Sequence, residues 1–180
     1  MENALIISFI ILLILSLTIL GIYNKIVKLK HKVNESASDI DIFLKQRFDL
    51  IPNLVETVKG YMKHEEGLLT KVTELRNTYN SSSDIFTGEE LNNNVNKILA
   101  IAESYPELKA NESFNILQTK LIDIENKLED TRIIFNNRVT KYNIKIKTVP
   151  SNIVASMFGF KEERLFQIED NERENIGFKF

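Results

Sequence analysis

The chain contains no cysteine. Disulfide frameworks, thiolate metal sites and a cysteine nucleophile are therefore excluded, while the redox compartment stays open. Histidine occurs twice, as His31 and His64, too few for a histidine-rich metal centre. Three prolines and six glycines among 180 residues are fewer than strands and their turns normally use, so long helices are expected. An excess of charge is missing too: 23 Lys and Arg face 25 Asp and Glu, for a net charge of −2 and a pI of about 5.8. That balance gives no footing for nucleic acid. No Gly-rich loop follows a strand and no serine elbow is present, so neither a phosphate cradle nor a nucleophile of that kind is expected.

What is present begins with Ala4 to Ile22, ALIISFIILLILSLTILGI, 19 residues without a charge. At a helical rise of 1.5 Å per residue the run spans about 28 Å, close to the hydrocarbon thickness of a bilayer. A cleaved signal peptide fits less well, because no basic residues precede the run, the apolar core is long, and no A-x-A-like site follows. Lys25, Lys28, Lys30 and Lys32 follow directly, whereas the short N-terminal flank carries Glu2. The positive-inside rule then predicts a single-pass membrane protein with its N-terminus out and its C-terminal domain cytoplasmic. The same lysines also suit the first solvated turns of a helix.

From residue 25 to 149 the pattern is helical. Ile26, Leu29, Val33, Ala37, Ile40, Leu44 and Phe48 recur in steps of three and four, and Val55, Val58, Met62, Leu69, Val72 and Tyr79 continue beyond Pro52. A polar stretch from Asn77 to Asp84 separates these from Leu91, Val95, Ile98, Ala102 and Tyr105, preceded by a capping-box spacing at Thr87 to Glu90 and stopped by Pro106. Phe114, Leu117, Leu121, Ile124, Leu128, Phe135, Val139, Tyr142, Ile146 and Val149 form the last stripe, ended by Pro150. The predicted class is all-α: an N-terminal transmembrane helix at 4–22, then an antiparallel, up-down-up-down four-helix bundle of long helices at 25–149, with coiled-coil-like packing. Residues 150–180 are an apolar segment and a charged tail ending in Ile176-Gly-Phe-Lys-Phe180, an alternation that suits strand addition to another protein's sheet.

Pro52 interrupts a helical stripe. In a first helical turn the missing N–H costs little, and Ile51 before it is biased out of the α region. With Asp49 as a cap, the break reads as a tight helix–helix turn in preference to a kink. Residues 47 to 53 then form the membrane-distal tip, beside the 106–111 loop; a kink would reverse that parity. The last helix, about 55 Å long against about 36 Å for Lys25 to Phe48, is long enough to return its C-terminal end to the bilayer.

Candidate chemistry is sparse. His64-Glu65-Glu66 resembles half of a helical zinc motif, but Leu68 stands where the second histidine belongs. Adjacent carboxylates on a helix point different ways. Glu65, Arg76 and Arg132 interrupt apolar stripes and, if buried, need partners; a polar layer that fixes helix register is the expected role, a groove for a partner the alternative. In the C-terminal segment, Ile153, Val154, Met157, Phe158 and Phe160 can pack back on the bundle or enter the lipid interface beside Lys161.

Three stretches, LKQRFDLIPNLVETVKGYMKHE, SYPELKANESFNILQTKL and RIIFNNRVTKYNIKIKTVPSNIVASMFGF, resemble in that order the signature segments of the LemA family, as do the N-terminal anchor and the GFKF ending. Phe135-Asn, where the family usually has Tyr-Asn, and Val149, where it often has Phe, are conservative departures. The resemblance implies a bacterial membrane protein with one N-terminal helix and an antiparallel helical bundle. It brings no catalytic residues and no cofactor, and family members look associated with membrane organisation.

The resulting expectation is a non-enzymatic, membrane-tethered interaction module. Its partner-binding surface is centred on Arg47, Asp49, Pro52 and Asn53 and is directed at the membrane or another membrane or cytoplasmic protein, with no nucleic acid, small-molecule substrate, metal or cofactor. The alternative is a lipid-interface protein acting through the anchor and the 153–160 segment.

Overall fold

A computed structural model describes residues 1–61, 66–82 and 85–166. Among these the secondary structure is entirely helical: α1 Glu2–Phe48, α2 Ile51–Lys59, α3 Glu66–Ser82, α4 Ile85–Ala102, α5 Pro106–Lys109, α6 Glu112–Lys147 and α7 Ser151–Met157. Met62, His64, Glu65 and the Ile176–Phe180 ending lie outside the described residues. The helices group into two compact units, Met1–Ser36 with Ile134–Phe180, and Ala37–Ile133, and both α1 and α6 contribute to each.

In the first unit α1 and α6 run antiparallel. Arg138 Nη1 donates to the Lys32 carbonyl at 2.9 Å and pairs with Glu35 at 3.1 Å, while Lys30 lies 5.7 Å from the Tyr142 ring centroid. Their seam is apolar, with Ile26 and Val33 of α1 against Phe135, Val139, Tyr142 and Ile146 of α6 all buried. Upstream, the apolar start of α1 has a mean hydropathy of 3.0 over its most apolar stretch, and none of that stretch is buried. It is long and apolar enough to cross a membrane.

In the second unit the core combines Ile40, Leu44 and Phe48 of α1, Leu54 and Val58 of α2, Val72 and Tyr79 of α3, Leu91, Val95 and Ile98 of α4, and Phe114, Leu121 and Leu128 of α6. Gly88 of α4 packs against both neighbours: a Cβ there would stand 2.6 Å from Leu44 Cδ1 and 3.0 Å from the Tyr79 ring, so a larger residue would make these side chains shift.

Pro52 does not reverse the chain. Along α3, contacts with α1 and α2 rise in one direction as they fall in the other. Val55 and Lys59 line one groove with Glu66, Leu69 and Thr73 of the first half of α3, whereas farther along α3 Arg76 reaches back to Phe48 and Tyr79 to Asp41. Together α1 and α2 therefore run antiparallel to α3, and the reversal follows Gly60 and Tyr61. Pro52 marks a kink, against the expected turn. Asp49 N–H still bonds the Lys45 carbonyl at 2.9 Å, Leu50 N–H bonds Arg47 at 3.1 Å, and Leu50 keeps right-handed helical angles (φ −85°, ψ −14°). The residue at the N-cap position is Leu50, with no side-chain cap, so Asp49 has no such role. Ile51, expected to be extended, opens α2 and is buried; its burial outweighs the modest bias imposed by the following proline. Thr87 likewise lies within α4, which starts by Ile85, so the capping-box spacing does not mark the helix start.

Candidate functional site

The kink exposes Asp49, Pro52 and Asn53 on one side of the second unit. Arg47, predicted to share that surface, is instead fully buried, with 0% of its surface accessible. Its guanidinium pairs with Glu125 of α6 and donates to the Asn96 side chain of α4. Glu125 accepts further from Arg132 Nη1 at 3.2 Å and from Asn92 Nδ2 at 3.2 Å. One carboxylate thus gathers two guanidiniums and an amide from α1, α4 and α6. An unpaired charge in such a place would be strongly unfavourable, and this convergence is what allows Arg47 to be buried. Arg132, a polar residue within an apolar stripe, belongs to this cluster, and Arg47, expected on an exposed surface, is its buried member. Its signal was available: Ile26, Val33, Ile40 and Arg47 are spaced by seven, and the first three are core residues.

Arg76 has a different task. Pro52 has no N–H, so the Phe48 carbonyl, four residues earlier, loses the donor that α-helical register would supply. Arg76 Nε donates to that carbonyl at 3.1 Å. Next to it, Phe48 and Tyr79 meet edge to face with centroids 4.9 Å apart, and the Tyr79 hydroxyl donates to the Asp41 carboxylate. Burial first, then the hydrogen bond and the charge of Asp41, push the Tyr79 phenol well above the usual tyrosine range. The kink is thus propped from α3 by a guanidinium and a ring.

In the first unit the C-terminal segment divides by side. Val154, Ala155 and Ser151 are buried, whereas Ile153, Met157 and Phe158 are 59%, 68% and 54% exposed and Phe160 is half-buried. Of the five residues assigned to lipid by sequence, Val154 therefore faces the protein. Gly159 ends α7 with φ +72°, and the Phe160 amide bonds back to the Ala155 carbonyl at 3.0 Å while Gly159 bonds Ser156 at 3.3 Å. This glycine-terminated cap turns the chain so that Phe158 and Phe160 both meet Tyr23, at 4.7 and 5.8 Å between centroids. Tyr23 directly follows the apolar run of α1.

From Lys161 to Phe166 the chain is non-helical and held along α6 by two asparagines. Asn143 donates to the Glu163 carbonyl at 2.8 Å and accepts from the Glu163 amide at 3.0 Å. Asn136 repeats the pattern with Phe166, at 3.0 and 2.9 Å. The asparagines stand seven residues apart, about 10.5 Å along a helix, and three residues of extended chain span about the same distance. Tyr142 adds a hydroxyl bond to the Lys161 carbonyl at 2.9 Å, Phe166 packs on Phe135 with centroids 5.2 Å apart, and Lys30 pairs with Glu163. Burial, and secondarily the Glu163 charge, raise the Tyr142 phenol. Among the described residues no group of three or more His, Cys, Asp or Glu is placed to hold a metal ion; His64 and Glu65 lie outside them.

Comparison with known proteins covers most of the chain. The LemA family model matches residues 36–180. The protein LemA of Metamycoplasma hominis is 25% identical over 161 residues, covering 87% of this chain and 74% of the relative. Magnetosome protein MamQ 2 of Paramagnetospirillum magneticum is 22% identical over 180 residues, covering 83% of this chain and 66% of its own length. MamQ of Magnetospirillum gryphiswaldense gives 22% over 179 residues with the same coverages. The chain thus spans just under two thirds of these magnetosome relatives.

Proposed function

Because the chain belongs to the LemA family and carries an apolar helix long enough to cross a bilayer, we propose that it is a membrane-tethered, non-enzymatic scaffold whose helical bundle presents a surface to a protein partner. The supporting observation is the kink. A proline breaks the α1–α2 arm, three polar or rigid residues stand exposed there, and α3 supplies Arg76 to satisfy the carbonyl that the break orphans. A helix interruption that requires help from another element is worth retaining where the exposed backbone and side chains are read by something else. The surface comprises Asp49, Pro52 and Asn53; Arg47 supports it from below and does not contribute to it. The absence of native cysteine makes the test direct. A photo-crosslinker on a single cysteine at position 53, in intact bacterial membranes, yields a discrete protein adduct that is missing when the cysteine is at exposed position 97. Equal labelling at both positions refutes this reading.

A second reading, contact of the 153–160 segment with lipid, is supported by the position of Phe158 and Phe160 against Tyr23 at the end of the apolar run.

A further inference from the structure

In the first unit the stretches that carry that aromatic cluster are rich in cations. Residues 23–32 and 141–164 together contain nine Lys and Arg against two carboxylates, although the whole chain has a net charge of −2. Both carboxylates are engaged: Glu162 pairs with Lys147 at 2.8 Å and Glu163 with Lys30. Lys25, Lys28 and Lys161 remain exposed, on the same stretches that carry Tyr23 and Phe160. Exposed Ile153 and Met157 lie on α7, whose other side is buried, and exposed Phe158 follows directly after it.

Resting on the lipid-contact reading, we propose that Tyr23, Met157, Phe158, Lys25, Lys28 and Lys161 form one collar that seats in the interfacial layer and takes the anionic headgroups of phospholipid. Three observations select an anionic bilayer as occupant. The patch is continuous with a segment built to cross the hydrocarbon, and Tyr23 is the first aromatic after it. Its exposed apolar side chains include rings and a flexible thioether, which suit the boundary between acyl chains and headgroups. Its surplus charge is lysine, whose long stem lets the ammonium reach phosphate while the apolar face stays down. The collar joins two parts of the chain more than a hundred residues apart. Its C-terminal half is fixed by the glycine-terminated cap at Gly159 and by the Tyr142 hydroxyl, which donates to the Lys161 carbonyl at 2.9 Å while the Lys161 side chain stays exposed.

The chain has no tryptophan, so Phe158→Trp introduces a single fluorophore, and Met157→Trp serves should the first disturb the Tyr23 contact. Ile134→Trp, exposed on α6 about 20 Å along the helix from Lys147, is the control. Full-length protein is reconstituted into vesicles of brominated lipid, either purely zwitterionic or containing anionic phosphatidylglycerol. The collar tryptophan is expected to be quenched much more strongly than a tryptophan at position 134, and more in anionic vesicles. Replacing Lys25, Lys28 and Lys161 with glutamine is expected to lower the seated-to-free ratio by about fivefold per lysine, in anionic vesicles alone. Quenching that exceeds the control but ignores both lipid charge and the lysines overturns headgroup recognition and leaves lipid contact standing. Quenching no greater than at position 134, for both collar tryptophans, overturns both and assigns the exposed face to a protein or a second copy.

Discussion

If Arg76 replaces the donor that Pro52 lacks, its contribution must depend on the proline. Arg76→Ala removes the Nε donor 3.1 Å from the Phe48 carbonyl in a partly buried site. Leaving such an acceptor unsatisfied costs about 1–3 kcal/mol. In a Pro52→Ala background, residue 52 regains its N–H, the kink can relax into α-helical register, and Phe48 acquires a backbone donor. The same Arg76→Ala change then loses only the packing of the arginine stem, a contribution common to both backgrounds that cancels in the cycle. The coupling between the two positions is expected to be about 1–2 kcal/mol. Urea unfolding of the four full-length proteins in mild detergent, followed by helical circular dichroism, measures it. Equal losses for Arg76→Ala with and without Pro52 would show that the guanidinium does not serve the broken backbone.

Three other outcomes follow from the packing. Glu125→Gln retains shape but leaves Arg47 buried without its counter-ion, and should destabilise the bundle by about 3 kcal/mol, the lower end for a broken buried pair because Glu125 is itself a quarter exposed; the same unfolding assay reads it, and a loss under about 1 kcal/mol refutes the cluster's role. Asn143→Ala releases both backbone bonds to Glu163, so trypsin should cut after Lys161 and Arg164 several times faster, with α6 helicity unchanged. Tyr79 makes stability fall in alkali: its folded phenol titrates above the unfolded value near 10, so from that pH upward the unfolded chain holds fewer protons and stability declines, no more steeply than about 1.4 kcal/mol per pH unit for one group. Below about pH 10 the contribution is complete, and Tyr79→Phe should flatten the alkaline limb in a pH series of unfolding curves.

Much of the architecture was legible because apolar spacing determines which side is buried. The last helix, read from Glu112 to about Thr148, is α6 at Glu112–Lys147, and its stripe is buried at Phe114, Leu121, Leu128, Phe135, Val139, Tyr142 and Ile146, half-buried at Leu117 and Ile124, and exposed at Val149. The reversal after Gly60 was not legible, since the spacing of three and four continues from Val55 and Val58 to Leu69 and Val72 across the gap. Nor could Pro52 decide between turn and kink: proline is tolerated in a first turn either way, and the deciding contact comes from Arg76, 24 residues later. The C-terminal arm escaped for a related reason. Asn136 and Asn143 bond the backbone of Glu163 and Phe166, and a backbone partner leaves no mark in a sequence. The divided character of residues 153–160 was half-visible, as two readings that the structure makes compatible: Val154 and Ala155 pack inward while Ile153, Met157 and Phe158 do not.

The same regularity that makes the helices readable leaves their register weakly specified. Ile26, Val33 and Ile40 repeat every seven residues, as do Phe114, Leu121, Leu128 and Phe135, so sliding one helix past another by a heptad exchanges one aliphatic or aromatic contact for a similar one. Arg47 occupies the next place in the first series and breaks its uniformity. A slip of seven residues would put Ile40 or Leu54 in its position, strand Glu125 beside aliphatic carbon, and leave Asn96 without the guanidinium. The cost of separating a buried charge from its partner, about 3–5 kcal/mol, is comparable with much of a domain's net stability. Apolar burial therefore drives these helices together, and one buried arginine shared between α4 and α6 selects among the near-equivalent ways they could meet.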